Sequence, residues 1–233
     1  MEKKIDWKSI LSHYTIKFIT IAVTAIIVYV SIKMVLYIID DGSDIVKVET
    51  SNTIYVRDSY IERLESKFSA ARENLALEVD KYIHSVAPTS SVTALNLIDL
   101  CAEYNIDLRL ALVQGHVESH FGTKGTASRT NSIFNVGAYD GYSAEKQMKN
   151  GFGYKHPDYS VEPYLKLITS RYLVDGKNEE DLLNEFVDKN GKRYASCETY
   201  ESLLRSRWDK IDSIANITEA YNIYKMYKLQ LGR

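Results

Sequence analysis

An apolar run near the start of the chain restricts its folding more than any other feature. From Phe18 to Ile39 the sequence is apolar for 22 residues, apart from two threonines, a serine and Lys33. A helix rises about 1.5 Å per residue, so a run of this length spans a hydrocarbon core of about 30 Å. We therefore predict a transmembrane helix at 18–39 rather than a cleaved signal peptide, whose apolar region is shorter.

The charges on either side of this run predict its orientation. Basic residues precede it, namely Lys3, Lys4, Lys8 and Lys17, and mainly acidic residues follow it, namely Asp40, Asp41, Asp44 and Glu49. The more basic flank of a membrane span stays in the cytoplasm. We therefore expect a single-pass membrane protein with residues 1–17 in the cytoplasm and everything beyond the span exported.

The overall composition excludes some partners and leaves room for one sizeable domain. The chain has 233 residues, of which 45% are hydrophobic, and a net charge of -2. A protein that holds a nucleic-acid backbone needs a basic surface, so we predict no nucleic-acid partner. Cys101 and Cys197 are too few for a disulfide framework, and both a single disulfide and two buried thiols are compatible with the sequence.

A long amphipathic pattern follows a short stretch, residues 40–57, that we predict to be linker. Its apolar residues recur at intervals of three and four, namely Ile61, Leu64, Phe68, Ala71, Leu75, Val79, Tyr82 and Val86. This spacing predicts a helix over about 60–86. Two alternatives are open: a stalk that self-associates as a coiled coil, although Glu78 interrupts the heptad, or a helix that lies on its own domain.

Pro88 ends this helix, so we divide the exported part into a juxtamembrane linker and amphipathic helix at 40–88 and a domain at 89–233. The domain is predicted to be mainly α. Asp107 can cap a helix that runs from Leu108 to Phe121, and Gly122 ends it. After a loop region at 123–157, further helices are predicted at 160–175 and 178–190, with one or two closing helices within 198–231.

Glu118 is the strongest catalytic candidate in the chain. It lies in the last turn of an apolar helix, just before Gly122 and a loop rich in hydroxyl and amide groups. Partial burial raises the pKa of a carboxyl group, and the negative end of the helix dipole acts in the same direction. Such a group can give the proton that the departing oxygen of a glycosidic bond requires. The alternative for any single glutamate at a helix end is an ordinary solvated side chain.

The residues around Glu118 resemble a known family. The segment from Leu112 to Thr123 is similar to the motif of the endo-β-N-acetylglucosaminidases of glycoside hydrolase family 73, whose helix ends in Glu-Ser-Gly-aromatic-Gly. The family's Asn-aliphatic-Phe-Gly element resembles residues 131–134. Residues 159–164 and 193–195 are similar to two later elements, so the resemblance covers roughly 92–215. The chain departs from the family pattern at His120 and Asn135, where the family has glycine.

This resemblance implies a fold and an activity. The domain at 89–233 is expected to be lysozyme-like, mainly α with a small loop or β lobe, and to hydrolyse the β-1,4 bond of N-acetylglucosaminyl units in peptidoglycan on the cell-wall side of the membrane. Glu118 would be the general acid. The second catalytic carboxylate would come from the loop lobe, with Asp140 favoured over Glu145, unless the N-acetyl group of the substrate replaces it. By the same resemblance, substrate contacts are expected from Asn131, Phe134 and Tyr194. Tyr139 and Tyr159 are further candidates because sugar faces stack on aromatic rings, and core or surface packing is the alternative for each tyrosine.

Neither a metal nor another cofactor is expected. His116 and His120 share a helix face at i, i+4, which superficially suggests zinc. Glu118 lies about 200° around the helix from His116, so one metal-based mechanism does not use all three residues.

Other functions are compatible with the same sequence. A lytic transglycosylase and a muramidase also act on peptidoglycan, and the former also uses one glutamate. A non-catalytic, membrane-anchored protein that binds glycan and associates through residues 60–86 is an alternative of a different class.

Overall fold

The computed structural model describes residues 53–137 and 143–233, with side chains from residue 59 onward. The predicted span at 18–39 and its basic flank lie outside these residues. Among the residues that are described, no helix is both long and apolar enough to cross a membrane. The chain divides into two units, Met1–Ile61 and Glu62–Arg233, and the second contains the domain.

The described part of the chain is almost entirely helical, which confirms the mainly α class. Its α-helices are α1 (Thr53–Val86), α2 (Ala94–Glu103), α3 (Leu108–Ser119), α4 (Ala127–Thr130), α5 (Ala144–Lys149), α6 (Val161–Leu167), α7 (Glu179–Asn184), α8 (Tyr200–Trp208) and α9 (Ile217–Gln230). Short 3-10 turns form at Pro157–Ser160 and Ile211–Ser213. Extended pairing in the described residues amounts to one antiparallel bridge between Val187 and Arg193, so no β lobe forms there.

The helix α1 starts earlier than the sequence predicted. Residues 53–57, assigned to the linker, are already helical. The stretch contains no glycine or proline, so nothing in it interrupts the backbone hydrogen bonds of a helix.

The apolar face of α1 belongs to the domain core from Leu64 onward. Leu75, Val79 and Ile83 are fully buried and belong to the same hydrophobic cluster as the residues of α2 and α3. This burial supports the second of the two alternatives for the helix, in which it lies on its own domain.

The helix α3 begins as predicted and ends two residues early. The Asp107 carboxylate accepts a hydrogen bond from the Arg109 backbone N–H at 2.9 Å, which caps the first turn. At the other end, His120 and Phe121 have φ angles of 47° and 50°, in the left-handed region. Helical hydrogen bonding therefore stops at Ser119, before the predicted end at Phe121.

The remaining helices are shorter than predicted. The helix expected at 160–175 is α6, which continues as one π-helical turn over Ile168–Tyr172. The helix expected at 178–190 is α7, which Asn178 caps and which ends at Asn184, where the backbone becomes extended. The two closing helices are α8 and α9. Cys101 is buried and Cys197 exposed, and the two are not bonded to each other.

The packing of α1 predicts unequal effects of two leucine substitutions on the same helix. Leu75 is 0% exposed, whereas Leu77 is 69% exposed. Leu75→Ala should lower the free energy of unfolding by about 2–5 kcal/mol, because it leaves a cavity in the core. Leu77→Ala should change it by no more than about 0.5 kcal/mol. Chemical denaturation of the full chain measures both changes. Equal losses in the free energy of unfolding would contradict the packing of α1 on its own domain.

Candidate active site

The catalytic candidate Glu118 lies at the C-terminal end of α3, one residue before its last. The rest of α3 is mostly buried. Five of its side chains are 0% exposed, namely those of Leu108, Leu110, Ala111, Leu112 and Val113. The helix α8 packs against α3 and brings the hydroxyl of its first residue, Tyr200, to the carboxyl group. Glu118 is therefore half-buried at the meeting point of two helices.

Both oxygens of the Glu118 carboxylate accept hydrogen bonds. The Tyr200 hydroxyl donates to Oε1 at 2.6 Å. The Asn135 side-chain amide donates to Oε2 at 3.2 Å and to the Glu118 backbone carbonyl at 3.0 Å. Asn135 has a φ of 51°, a left-handed conformation that asparagine tolerates better than most residues. Two side chains therefore fix the orientation of the carboxyl group.

The environment of Glu118 raises the pKa of its carboxyl group above the ordinary value. Burial is the main cause, because it penalises the charged form, and the hydrogen bonds from Tyr200 and Asn135 act in the opposite direction. A carboxyl group with a raised pKa keeps its proton closer to neutral pH, as a general acid must.

Buried hydrogen bonds attach the loop that carries Asn135 to the end of α3. The Ser119 hydroxyl donates to the Ile133 carbonyl at 2.6 Å and accepts from the Gly122 backbone N–H at 2.8 Å. The Ser160 hydroxyl accepts from the Ile133 backbone N–H at 3.1 Å. A Cβ atom at Gly115 would lie 3.0 Å from the ring of Phe121, which is tighter than ordinary contact, so glycine lets this ring pack closely against α3.

Aromatic rings form the side of the site next to Tyr200. The ring of Tyr194 stacks on that of Tyr200, with centroids 5.8 Å apart and planes 16° apart. The Tyr194 hydroxyl donates to the Phe134 carbonyl at 2.8 Å. The Phe134 ring in turn stacks on Tyr164, with centroids 3.7 Å apart. These contacts connect the loop, α6 and α8 behind the carboxyl group.

The sequence model of the Glucosaminidase family, described as mannosyl-glycoprotein endo-β-N-acetylglucosaminidase, matches residues 94–213. The chain belongs to this glucosaminidase family. The match confirms the resemblance predicted from the motifs, and it places the chain among glycoside hydrolases. A comparison with curated proteins gives no match. A comparison with solved structures gives none either.

Within the glucosaminidase domain, the structure brings only some of the predicted site residues together. Tyr194 lies next to Tyr200 and thus near Glu118. Phe134 is 0% exposed, so it has no surface to offer a sugar, and its predicted role as a substrate contact does not fit. The Asn131 amide donates to the Tyr154 carbonyl at 2.8 Å, which holds the loop rather than the acid.

Of the two candidates for the second carboxylate, the structure describes Glu145. Glu145 lies on α5 with its side chain 73% exposed and 3.4 Å from Arg129, and it is not a hydrogen-bond partner of Glu118. Asp140 and Tyr139 lie outside the described residues. Tyr159 is 64% exposed and contacts the ring of His156.

His116 of α3 contacts His120, the residue that follows the helix, and neither histidine is a hydrogen-bond partner of the Glu118 carboxylate. Their ring centroids are 5.1 Å apart, and Nδ1 of His116 is 2.9 Å from the Tyr82 hydroxyl of α1. Burial and the positive charge of Arg207 lower the pKa of His116 to about 4. Across residues 53–137 and 143–233, no three histidine, cysteine or acidic side chains are grouped so that they could hold a metal ion.

Two residues that contact the acid were not among the predicted site residues. Tyr200 follows Tyr194 by six residues, and a second tyrosine at the start of the next helix is the only sequence signal for it. Asn135 was noted only as a departure from the family's glycine. Its left-handed backbone keeps the conformation that glycine would supply, and its amide adds a donor to Glu118.

The Asn135 contact predicts a shift in the titration of Glu118. Asn135→Gly keeps the left-handed backbone accessible and removes the donor to Oε2, so the pKa of Glu118 should rise further. Asn131→Gly is the matched control, because Asn131 has a φ of 54° and its amide bonds Tyr154 instead. Carbon NMR titration of labelled glutamate measures both effects. A Glu118 pKa that is unchanged or lowered in Asn135→Gly would show that the contact is absent in solution.

Proposed function

We propose that this glucosaminidase hydrolyses the glycan strands of peptidoglycan at the β-1,4 bond of N-acetylglucosaminyl units, with Glu118 as the general acid. The observation that carries this proposal is the half-buried Glu118 carboxyl group, whose pKa is raised by burial and whose two oxygens are held by Tyr200 and Asn135. Of the residues described, it is the carboxyl group that best combines proton retention with a fixed orientation.

The proposed reaction follows from that arrangement. Protonated Glu118 gives its proton to the bridging oxygen while the bond from the anomeric carbon to this oxygen breaks. A water molecule then bonds to the anomeric carbon, and the proton that it loses restores the acid through solvent or a basic group. Tyr200 and Asn135 stabilise the carboxylate that Glu118 becomes, because both donate hydrogen bonds to it.

The substrate proposal rests on the family and on the predicted topology. The family description names an endo-β-N-acetylglucosaminidase, whose chemistry concerns bonds next to N-acetylglucosamine. Peptidoglycan carries this sugar in β-1,4 linkage. A span at 18–39 with its lysines in the cytoplasm would hold the domain in the exported space where this polymer lies. The membrane anchor is part of the proposal.

One observation favours a second candidate, a lytic transglycosylase. The hydrogen-bond partners of the Glu118 carboxylate in the described residues are Tyr200 and Asn135, and neither is a second acid. A transglycosylase needs only one acidic residue, because a hydroxyl of the substrate itself displaces the leaving group. The mass of the products separates the two activities, since hydrolysis adds water and transglycosylation leaves an anhydro sugar.

The assigned role predicts the effect of an isosteric substitution. Glu118→Gln keeps the shape of the side chain and removes its acidic proton, so hydrolysis should slow by about 100- to 10,000-fold. Zymography on purified cell wall should show loss of clearing. The matched control is Glu162→Gln, because Glu162 lies at the surface in an ion pair with Lys166 at 2.7 Å, and clearing should persist.

Three results would count against the proposal. Unchanged clearing by Glu118→Gln would exclude Glu118 as the acid. No clearing by the unmodified chain would favour a glycan-binding role instead. Loss of clearing in both variants would show that the change is not specific to the acid.

A further inference from the structure

A chain of three buried polar side chains lies behind the Glu118 carboxyl group. The Tyr164 hydroxyl donates to Oε1 of Gln114. Nε2 of Gln114 donates to the Tyr200 hydroxyl oxygen at 2.9 Å. The Tyr200 hydroxyl donates to Oε1 of Glu118 at 2.6 Å. Gln114 and Tyr164 are 0% exposed and Tyr200 is 4% exposed, so water does not compete for these bonds.

The chemistry of these groups determines the direction in which the hydrogen bonds run from Tyr164 to Glu118. An amide nitrogen can only donate and an amide oxygen can only accept, whereas a tyrosine hydroxyl has one proton to give. Among the described residues, Gln114 is the only hydrogen-bond partner of the Tyr164 hydroxyl. With the amide reversed, the Tyr164 proton would have no acceptor, and a buried donor without an acceptor is costly. Tyr164 therefore holds the amide oxygen of Gln114 toward itself.

The fixed amide then determines the role of Tyr200. Its oxygen accepts from Nε2 of Gln114, so its single proton points to Glu118. Oε1 of Glu118 accepts this proton in a short bond of 2.6 Å, whereas Oε2 accepts only the longer bond of 3.2 Å from the Asn135 amide and keeps a free lone pair, so the acid's own proton has its place on Oε2. The same arrangement serves Glu118 before and after it gives up its proton, and no side chain has to turn during the reaction.

We propose that Tyr164 and Gln114 are positioning residues which direct the Tyr200 proton onto Oε1 of Glu118 and so keep the transferable proton on Oε2. This inference rests on the proposed function only in calling that proton transferable. The hydrogen-bond direction itself is a property of the folded chain, so it can be measured without turnover.

The test is the titration of Glu118 in the full chain, followed by NMR of carboxyl-labelled glutamate. In Tyr164→Phe the amide of Gln114 is free to reverse and take the Tyr200 proton, so the pKa of Glu118 should rise by about half to one unit. In Gln114→Met the Tyr200 proton has no competing acceptor, so the rise should be smaller. The double variant should return the pKa close to the value of Gln114→Met.

The ranking of these pKa shifts distinguishes an effect of hydrogen-bond direction from an effect of altered packing. Tyr164 does not itself bond Glu118, so a purely structural effect should be larger for Gln114→Met than for Tyr164→Phe. Tyr172→Phe is the matched control, because Tyr172 is a buried tyrosine that packs on Tyr194 and is not one of the hydrogen-bonded residues between Tyr164 and Glu118. Tyr200→Phe removes the donor itself and should raise the pKa of Glu118 at least as much as Tyr164→Phe.

The proposal is overturned if Tyr164→Phe shifts the pKa of Glu118 no more than Tyr172→Phe does, or less than Gln114→Met does. It is also overturned if Tyr200→Phe leaves the pKa unchanged. An unmodified chain that fails to clear cell wall while these shifts appear would refute the proposed function and leave the positioning role standing.

Discussion

The carboxyl group of Glu118 is subject to two opposing influences, burial, which favours its neutral form, and two hydrogen-bond donors, which favour its charged form. A general acid needs both, because it must hold a proton in the resting enzyme and tolerate losing it during the reaction. The surrounding structure supplies them from different elements. The end of α3 and the face of α8 partly cover the carboxyl group, whereas Tyr200 and Asn135 donate from the start of α8 and from the loop after α4.

The loop that follows α3 adopts an unfavourable backbone conformation, and this conformation makes the arrangement around Glu118 possible. His120, Phe121 and Gly122 all have positive φ angles, and each non-glycine residue in that region costs about 1–2 kcal/mol. The turn places the Phe121 ring in the core, at 1% exposure, and lets the Ser119 hydroxyl bond the Ile133 carbonyl. The burial of Phe121 and the buried hydrogen bonds of Ser119 offset that cost. His120 therefore occupies a position where the family's glycine would be less strained.

The sequence predicted what depends on local spacing and failed where distant segments meet. The apolar face of α1, the Asp107 cap and the place of Glu118 near the end of α3 follow from periodicity and capping, which involve only near neighbours. The contact of Tyr200 with Glu118 joins residues 82 positions apart, which no local pattern reports. Phe134 was chosen by its place in a motif, but a motif does not show whether a ring faces substrate or core. The predicted lobe carboxylate Asp140 remains a prediction.

The central claim is that Glu118 gives its proton to the glycosidic oxygen, and the pH dependence of kcat/KM on purified peptidoglycan tests it most directly. A general acid is active while protonated, so activity should fall as pH rises through the pKa of Glu118. We expect this alkaline limb to coincide with the pKa of Glu118 measured by NMR in the same chain, and to lie above the ordinary glutamate value. A Glu118 pKa at the ordinary value, or an activity that does not change across its titration, would contradict the account.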